Sequence, residues 1–537
     1  MTVGRRSYWS KNGARSTSCG ALVLALFLVL GVFAAPLSAD EDSQRVERSA
    51  KLIQTGKLDE AEGLLWEVLT RHPENAEALN LLGSVRLQQK RFAESETLLR
   101  RASSLSPELL TAYINLARVF HAQSETDKEI AALLDAARLA PNDADVNCGL
   151  AAAYLKQNDF PRALAALERI PRGHAPDGAL PLLEASYLGL GRVTEARALS
   201  PVIEARATKN PEIRAEFAGV LLDFGLANEA LAILQTAQKQ QPPNTELFFA
   251  LGRARELRGE VALAQKDFQR AVDLDPNSVN ALQALARTLA DQGQWGKSFE
   301  VLTRARSVDP NSPEILRKLA SASLHAGQMA NAVDAAQQLV KLRPDEPEAL
   351  YLLGVTQLQA GSTEEARSTL EKYTKLHPQD PLAFLALGMA ETGLRDFAAA
   401  RANLEHTIKL DANQVDAYYQ LALISRDQGD NPAAILQLEK ALAINAQYAQ
   451  GNALLGTLYL QQREYDKAKE HLTRAVQLAP NLPDAHYQLG LLFGRLNQPE
   501  RAQREMEQFN RLKEKENAGP VPPGSKPDHS SPPYPPS

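Results

Sequence analysis

The chain has 537 residues and a formal net charge of −6, and 44% of its residues are hydrophobic, 23% charged and 6% aromatic. These shares suit a soluble helical protein in which alanine and leucine, rather than aromatic residues, do most of the packing. A nucleic-acid-binding protein needs a basic stripe, and an acidic chain does not favour one, so we expect no nucleic-acid partner.

The segment 1–39 has the order of a secretory signal peptide. Four basic residues precede any acidic one: Arg5, Arg6, Lys11 and Arg15. An apolar segment, 21–35, follows, and Ala39 offers a small residue for cleavage. The segment is shorter than the roughly 18–20 residues of a membrane-spanning helix, which favours cleavage over an uncleaved anchor. We therefore expect export to a bacterial periplasm or cell envelope, with membrane association only through the leader if it is retained.

Only Cys148 would remain after cleavage, because Cys19 lies in the leader. A single thiol cannot form an intramolecular disulfide in the oxidising compartment that export implies. We interpret Cys148 as a small packing residue in a helix. No cysteine metal cluster and no cofactor are expected.

From residue 42 onward, glycine, proline and alanine recur with a spacing of about 34 residues, which indicates an internal repeat. The glycines are Gly191, Gly225, Gly259, Gly293, Gly327 and Gly361, with Gly429 two periods later. The prolines are Pro73, Pro107 and Pro141, then Pro242, Pro276, Pro310, Pro344 and Pro378, with Pro480 resuming the series. The alanines are Ala230, Ala264, Ala332, Ala366, Ala400, Ala434, Ala468 and Ala502. Together they predict fourteen units that start near residues 42, 76, 110, 144, 177, 211, 245, 279, 313, 347, 381, 415, 449 and 483.

Each series has a physical reason. Glycine ends a first helix because the residue after a helix often takes a left-handed conformation. Proline cannot continue a second helix, so it marks the return to the next unit. Alanine lets two helices pack closely. Because one helix pair cannot bury its apolar face alone, the units must stack, which predicts a solenoid rather than a globule.

The unit 449–482 resembles the tetratricopeptide repeat (TPR): Leu455-Gly456, Tyr459, Ala468 with Leu472, Ala475 and Pro480 stand at its characteristic spacing. The resemblance, to the exported bacterial type, implies an all-α, right-handed superhelical solenoid of about fourteen 34-residue helix-turn-helix repeats. We divide the chain into a signal peptide (1–39), N-terminal repeats (42–176), C-terminal repeats (177–516) and a proline-rich disordered tail (517–537).

Two regions depart from the period. One residue is lost between 170 and 181, and Pro201 then falls inside an expected second helix. A proline inside a helix costs about 3 kcal/mol unless the helix kinks, so we expect a bend or a loosened joint there. The second helix of the last unit is rich in Arg, Lys and Glu, which is typical of a terminal cap.

The sequence contains no motif for catalysis. Among its histidines and glycines there is neither a His-Glu-x-x-His pattern nor a strand-borne phosphate loop, and leader, repeats and tail leave almost no room for another domain. We therefore expect a non-enzymatic protein without catalytic, cofactor-binding or metal-binding residues.

The family resemblance implies that the first helices line a concave groove, which the fifth, ninth and twelfth residues of each unit face as one helical stripe. The predicted groove residues are Phe249, Arg253, Arg287, Arg317, Tyr351, Val355, Leu358, Met389, Tyr419, Leu423, Arg426, Tyr487 and Leu491. The groove would be basic in its middle and aromatic toward its C-terminal end, with much of each tyrosine ring exposed. The alternative is that the tyrosines only cover neighbouring helices.

These features predict a protein-protein interaction scaffold of the cell envelope that accepts an extended or helical segment of a partner, with tyrosines as rigid contacts and arginines holding acidic groups. The alternative is an accessory subunit that guides a polysaccharide or assists envelope, pilus or secretion assembly. Aromatic rings stack on sugars as well as on peptides, so both alternatives stay open.

Overall fold

The computed structural model describes residues 37–171, 174–207, 213–240 and 242–517. Within these ranges the chain forms twenty-nine α-helices and no strand. Almost all of the predicted leader and all but Asn517 of the predicted tail lie outside the described residues. Of the helices that can be described, none combines the length and the apolar character that crossing a bilayer requires.

The helices alternate as first and second helices of fourteen repeats, numbered here 1–14, with α10 and α11 together forming the second helix of repeat 5. Repeats 1–7 comprise α1 (Leu37–Gln54), α2 (Leu58–Arg71), α3 (Ala76–Gln88), α4 (Phe92–Leu105), α5 (Leu110–Ala122), α6 (Thr126–Leu139), α7 (Ala144–Lys156), α8 (Phe160–Leu167), α9 (Ala179–Gly189), α10 (Val193–Arg197), α11 (Ser200–Ala207), α12 (Ile213–Asp223), α13 (Ala227–Gln240), α14 (Thr245–Leu257) and α15 (Val261–Leu274). Repeats 8–14 comprise α16 (Val279–Asp291), α17 (Trp295–Val308), α18 (Pro313–His325), α19 (Met329–Leu342), α20 (Pro347–Gln359), α21 (Thr363–Leu376), α22 (Pro381–Gly393), α23 (Phe397–Leu410), α24 (Val415–Asp427), α25 (Asn431–Ile444), α26 (Ala449–Gln461), α27 (Tyr465–Leu478), α28 (Pro483–Arg495) and α29 (Pro499–Asn517).

The chain divides into two compact units, with the division between Asp267 and Phe268 inside α15. Within each unit, a first helix packs on the second helix of its own repeat, as α3 does on α4 and α26 on α27. Each second helix then contacts the first helix of the following repeat, as α21 contacts α22. The predicted boundary between residues 176 and 177 was placed by the repeat period and stays a prediction.

In the described part of the chain, one residue per repeat has a left-handed backbone, and it lies between the first and the second helix. Eight are glycines: Gly56, Gly191, Gly225, Gly259, Gly293, Gly327, Gly361 and Gly429. The other six are Lys90, Ser124, Asn158, Arg395, Arg463 and Asn497. Their φ angles run from 57° to 80°. These residues confirm both the reason given for the glycine series and the predicted number of repeats.

Close approach of the two helices depends on small residues from both sides. A Cβ added at Gly354 of α20 would lie 2.7 Å from Leu370 Cγ of α21, and one at Gly388 of α22 would lie 2.8 Å from Leu404 Cγ of α23. From the second helix, the predicted alanines from Ala230 to Ala468 are fully buried, whereas Ala502 in the last repeat is partly exposed. The packing role assigned to alanine is confirmed for the buried members.

The predicted irregularity around Pro201 is a break in the second helix of repeat 5. α10 ends at Arg197 and α11 begins at Ser200, so Pro201 stands in the first turn of a new helix. A proline there removes no intrahelical hydrogen bond, because the first N–H groups of a helix have no partner within it. The break therefore accommodates Pro201 without the cost of a helix-interior proline.

Candidate partner-binding face

We call the side chains at the fifth, ninth and twelfth positions of the first helices the first-helix face. In the second unit, α18 contacts α20, α20 contacts α22, α22 contacts α24, and α26 contacts α28. Successive first helices therefore lie side by side, and their equivalent side chains become neighbours although a full repeat of sequence separates them.

In the first unit, this face includes Phe249 and Arg253 of α14, both partly buried. Arg253 Nη2 donates a hydrogen bond to Asp223 Oδ1 at 2.8 Å, a residue of the preceding repeat. The positive charge expected here is therefore balanced by a carboxylate from the preceding first helix.

In the second unit, Arg287 of α16 is exposed, and Arg317 of α18 forms an ion pair with Glu346, the residue before α20. Lys318 beside it donates to Glu314 at 2.9 Å. A basic middle was expected, but Glu346 pairs with Arg317 and Glu314 pairs with Lys318, so carboxylates offset the charge of both residues. The sequence pattern alone did not reveal the partner of Arg317, because Glu346 does not occupy the fifth, ninth or twelfth position of a repeat.

Repeat 10 corrects one prediction. Tyr351 is 5% exposed and Val355 is fully buried, whereas much of the Tyr351 ring was expected to be exposed. The ring centroid lies 5.4 Å from that of Tyr373 in α21, and the cluster around the two rings includes Ala383 and Leu387 of the next first helix. Burial raises the pKa of Tyr351 above its ordinary value. Tyr351 is thus a packing residue, as the alternative interpretation held.

Repeats 10 and 11 also contribute Leu358 and Met389, which are both partly buried. Met389 packs against the cluster formed by α22, α23 and α24, and the adjacent stripe residue Leu385 is fully buried. In repeats 10 and 11, side chains of the first-helix face therefore pack mainly against neighbouring helices of the protein and offer little open surface.

The face is more open in repeat 12. Tyr419 is partly exposed and meets the Tyr448 ring edge-on, with centroids 5.4 Å apart and planes at 90°. Tyr448 Oη donates to Asp416 Oδ1 at 3.0 Å, which fixes the ring that supports Tyr419. Leu423 is partly exposed one helical turn later, and Arg426 is exposed and donates to Asp427 at 2.7 Å.

Repeat 14 repeats this arrangement. Tyr487 is 38% exposed, its ring centroid lies 5.1 Å from that of Phe509 in α29, and Leu491 is partly exposed one turn further on. Between the two repeats, the fifth and ninth positions of repeat 13 hold the smaller Ala453 and Thr457. We call Tyr419, Leu423, Arg426, Tyr487 and Leu491 together the C-terminal stripe.

A series of hydrogen-bonded polar side chains on the first helices of repeats 2 and 3 was not predicted. Asn80 Nδ2 donates to Thr111 Oγ1 at 3.0 Å, Asn115 Nδ2 donates to Asn80 Oδ1 at 3.0 Å, and Arg118 Nη1 donates to Asn115 Oδ1 at 3.2 Å. Asn80 and Asn115 are buried. Reading the fifth position of repeat 2 would have found Asn80, but its partners depend on how α3 and α5 pack. This series of hydrogen bonds joins α3 of repeat 2 to α5 of repeat 3.

A buried carboxyl group in repeat 5 replaces a small residue. Glu184 of α9 stands where the adjacent repeats have Ala151 and Ala218, and it is fully buried. Neither of its carboxyl oxygens has a hydrogen-bond partner. Burial raises the pKa of Glu184 to about 10, so the group is protonated at neutral pH.

A second buried carboxylate is paired. Glu129 of α6 stands where repeat 4 has Ala163, and it contacts His121 Nδ1 at 2.8 Å and Lys156 Nζ at 3.0 Å. Burial alone would raise the pKa of Glu129, but the hydrogen bonds and charges of His121 and Lys156 outweigh it and lower the pKa. In the parts of the chain that can be described, no group of three or more His, Cys, Asp or Glu residues is arranged to hold a metal ion.

Family models identify what this repeat arrangement is. One tetratricopeptide repeat model matches residues 52–109, 216–279, 284–347 and 385–451, a second matches 323–389, and a TPR repeat model matches 456–497. The chain belongs to the tetratricopeptide repeat family. The TPR fold is generally a non-catalytic scaffold for protein-protein interaction, and this chain has that fold.

Similar proteins cover only part of the chain. It is 26% identical over 248 residues to superkiller complex protein 3 of Mus musculus, which is 44% of this chain and 16% of that protein. It is 28% identical over 273 residues to cellulose synthase operon protein C of Xanthomonas axonopodis pv. citri (strain 306), which is 47% of this chain and 18% of that protein. The chain thus spans less than a fifth of the length of either relative.

Two solved structures are similar at lower identity. The chain is 14% identical to a chain of the APC/C hetero-tetramer Cut9-Hcn1, with a TM-score of 0.40 over 88% of this chain and 94% of that one. It is 15% identical to yeast Tom70, with a TM-score of 0.34 over 82% of this chain and 97% of that one.

Proposed function

We propose that this protein is an exported scaffold of a bacterial cell envelope and that it binds a segment of a partner protein through the C-terminal stripe. The observation that carries the proposal is a contrast within one unit. At the same position of the repeat, Tyr351 is buried by its neighbours, whereas Tyr419 is partly exposed and Tyr487 is exposed. The stripe thus offers aromatic surface that the repeats do not use to bury themselves.

The chemistry of the stripe suits a peptide with apolar anchors. Tyr419 with Leu423, and Tyr487 with Leu491, form two pairs of apolar side chains, each one helical turn apart. Tyrosine gives a large contact area at a low cost in side-chain entropy, and its hydroxyl group can still bind water or a polar partner atom. The partner segment would present two apolar anchors separated by the width of repeat 13.

Two of the predicted groove arginines in the middle of the chain are paired within the protein and are not the main contacts for acidic groups of a partner. Arg253 is paired with Asp223, and Arg317 with Glu346. An acidic partner would first have to replace these carboxylates. Apolar contact at the C-terminal stripe is therefore the main source of binding in this proposal.

Export is supported by the leader sequence, and mass spectrometry of the protein from cells tests it. Cleavage after Ala39 would leave Asp40, which lies in the first turn of α1, as the first residue. An intact segment 21–35 on the mature protein would contradict cleavage.

A second candidate function has one specific observation in its favour, the similarity to cellulose synthase operon protein C. In this alternative, the tyrosines would stack on sugar rings and the protein would guide a polysaccharide. The two functions are separated by affinity capture from envelope extract before and after polysaccharide digestion. A partner protein retained after digestion supports the scaffold, whereas loss of all bound material supports the polysaccharide guide.

A further inference from the structure

The last repeat has an apolar surface that other repeats cover. In repeat 10, residues at four equivalent positions form a buried cluster with α22, the first helix of the next repeat: Tyr351, Val355, Leu370 and Tyr373. In repeat 14 the same positions are partly buried or exposed, and they hold Tyr487, Leu491, Met506 and Phe509. We call these four residues of repeat 14 the end face. α29 is the last helix in the described part of the chain, so no described helix takes the place of α22.

We infer that the proline-rich segment 518–537 of the same chain docks on the end face. Eight of its twenty residues are prolines. This composition does not favour a helix like α22, because proline lacks the N–H group of a helical hydrogen bond and clashes with the preceding turn. Proline-rich segments instead take an extended polyproline conformation, which binds surfaces lined by aromatic rings. The Tyr487 and Phe509 rings, 5.1 Å apart, supply such a surface.

The segment is long enough for this contact. α29 continues past Phe509 to Asn517, which corresponds to about 12 Å along a helix. A segment of this length in a polyproline conformation extends about 60 Å. The segment can therefore turn back at the end of α29 and still pass over all four residues of the end face.

The size of the end face favours a tethered segment over a second copy of the chain. A stable interface between proteins usually buries more than about 1,000 Å². The end face consists of only four side chains, and three of them are already partly buried. The exposed charged residues Arg504 and Glu507 flank Met506 in the sequence of α29, which limits the apolar area available to a second copy. A tethered segment acts at an effective concentration in the millimolar range, so a small contact is enough.

Docking would also affect the C-terminal stripe, because Tyr487 and Leu491 belong to both surfaces. The segment would then compete with a partner for the last two residues of the stripe and leave Tyr419 and Leu423 accessible. This consequence rests on the proposed function, whereas the docking itself does not.

Hydrogen exchange of the full chain, followed by mass spectrometry, tests the inference. In the test variant all eight prolines of segment 518–537 are replaced by serine. In a matched control, Lys526, Asp528 and His529 are replaced by serine and the prolines are kept. We expect the test variant to exchange roughly two- to tenfold faster in α28 and α29, with α20 to α22 unchanged, because tethering at millimolar concentration gives protection of that size. The control should exchange like the original chain, and a synthetic peptide 518–537 added to the test variant should restore protection.

Equal exchange in the original chain and the test variant would overturn the inference. Protection of the end face that rises with protein concentration, together with a dimer in sedimentation, would overturn it in favour of a second copy. A failure of docking is distinguishable from a failure of the proposed function, because partner binding is measured separately at Arg426, which is not part of the end face.

Discussion

Tyr351 and Tyr487 occupy the same position of two repeats in one unit, yet 5% of Tyr351 and 38% of Tyr487 is exposed. Both rings lie against an aromatic residue of the second helix, Tyr373 in one case and Phe509 in the other. The difference arises from the next repeat, whose first helix α22 covers Tyr351, whereas no described helix follows α29. The same residue type at the same position is therefore a core residue in one repeat and a surface residue in another.

This difference predicts opposite results for two alanine substitutions. Tyr351→Ala should lower the free energy of unfolding by about 3–5 kcal/mol, because it leaves a cavity between repeats 10 and 11. Tyr487→Ala should cost about 1 kcal/mol or less, because Tyr487 is 38% exposed and no described helix packs over it as α22 packs over Tyr351. Chemical denaturation measures both losses of stability. Hydrogen exchange in α20 to α22 localises the effect of Tyr351→Ala, and exchange in α28 and α29 localises that of Tyr487→Ala. Similar losses of stability for the two variants would contradict the assignment.

The contact between Gly354 and Leu370 predicts that small residues are required between paired helices. Gly354→Ala would place a Cβ 2.7 Å from Leu370 Cγ and should destabilise the protein by about 1–3 kcal/mol through overpacking. Gly63, inside α2, is a matched control because an added Cβ there meets no atom within 4 Å. Gly63→Ala should stabilise its helix by about 0.5–1 kcal/mol. Thermal unfolding should show a lower melting temperature for Gly354→Ala and a higher one for Gly63→Ala. A lower melting temperature for both variants would contradict overpacking against Leu370 as the cause.

Buried Glu184 predicts a specific pH dependence. Its pKa is about 10 in the folded protein and 4.5 when the group is not buried, so between these values the folded state holds a proton that the unfolded state releases. The free energy of unfolding should therefore fall as the pH rises from 4.5 toward 10, by up to about 1.4 kcal/mol per pH unit from this group.

Two substitutions separate ionisation from burial at this site. Glu184→Gln keeps the size and polarity of the side chain but cannot ionise, so its stability relative to the original chain should increase steadily as the pH rises through the neutral range. Glu184→Ala, which introduces the residue found in repeats 4 and 6, should stabilise repeat 5 by about 1–3 kcal/mol at neutral pH by removing an unsatisfied polar group. Exchange of the α9 amides reports both effects. A pH-independent difference between the original chain and the Gln variant would show that Glu184 titrates normally.

The pair Glu129 and Lys156 predicts strong coupling. Lys156→Met should cost about 3 kcal/mol or more, because it removes a partner from a buried carboxylate. The double variant Glu129→Ala/Lys156→Met should recover most of this loss, because Ala163 of repeat 4 shows that alanine fits the position that Glu129 occupies in repeat 3. A double-mutant cycle in urea measures the coupling. Additive effects of the two substitutions would mean that the buried pair makes no net contribution.

The sequence predicted the repeats well because the features that form them are local. A left-handed residue, a helix-ending proline and a small residue at a helix contact each leave a mark once per repeat. Even a residue such as Arg395, which takes the left-handed conformation without being glycine, lies where the period expects one. The break at Pro201 followed from the same reasoning, because the constraint on proline acts within a few residues.

The state of the first-helix face could be predicted only in part, because it depends on neighbours in other repeats. Tyr351 is buried by α22, which belongs to the following repeat. Arg317 is neutralised by Glu346, a residue between helices that no stripe pattern includes. The position of Tyr487 on the face was predicted from the period, but its exposure depends on its being in the last repeat of the described chain.

The most direct test of the proposed function compares two exposed positions of repeat 12. A photoreactive amino acid is placed at Arg426, on the C-terminal stripe, or at Leu436, which is 52% exposed on the second helix α25. Both positions face solvent, so neither substitution should disturb folding. After illumination in cells and analysis of the envelope fraction, the proposal predicts a cross-link to a partner protein from position 426 and none from position 436. Cross-links from position 436 alone, or from both positions equally, would contradict binding at the first-helix face.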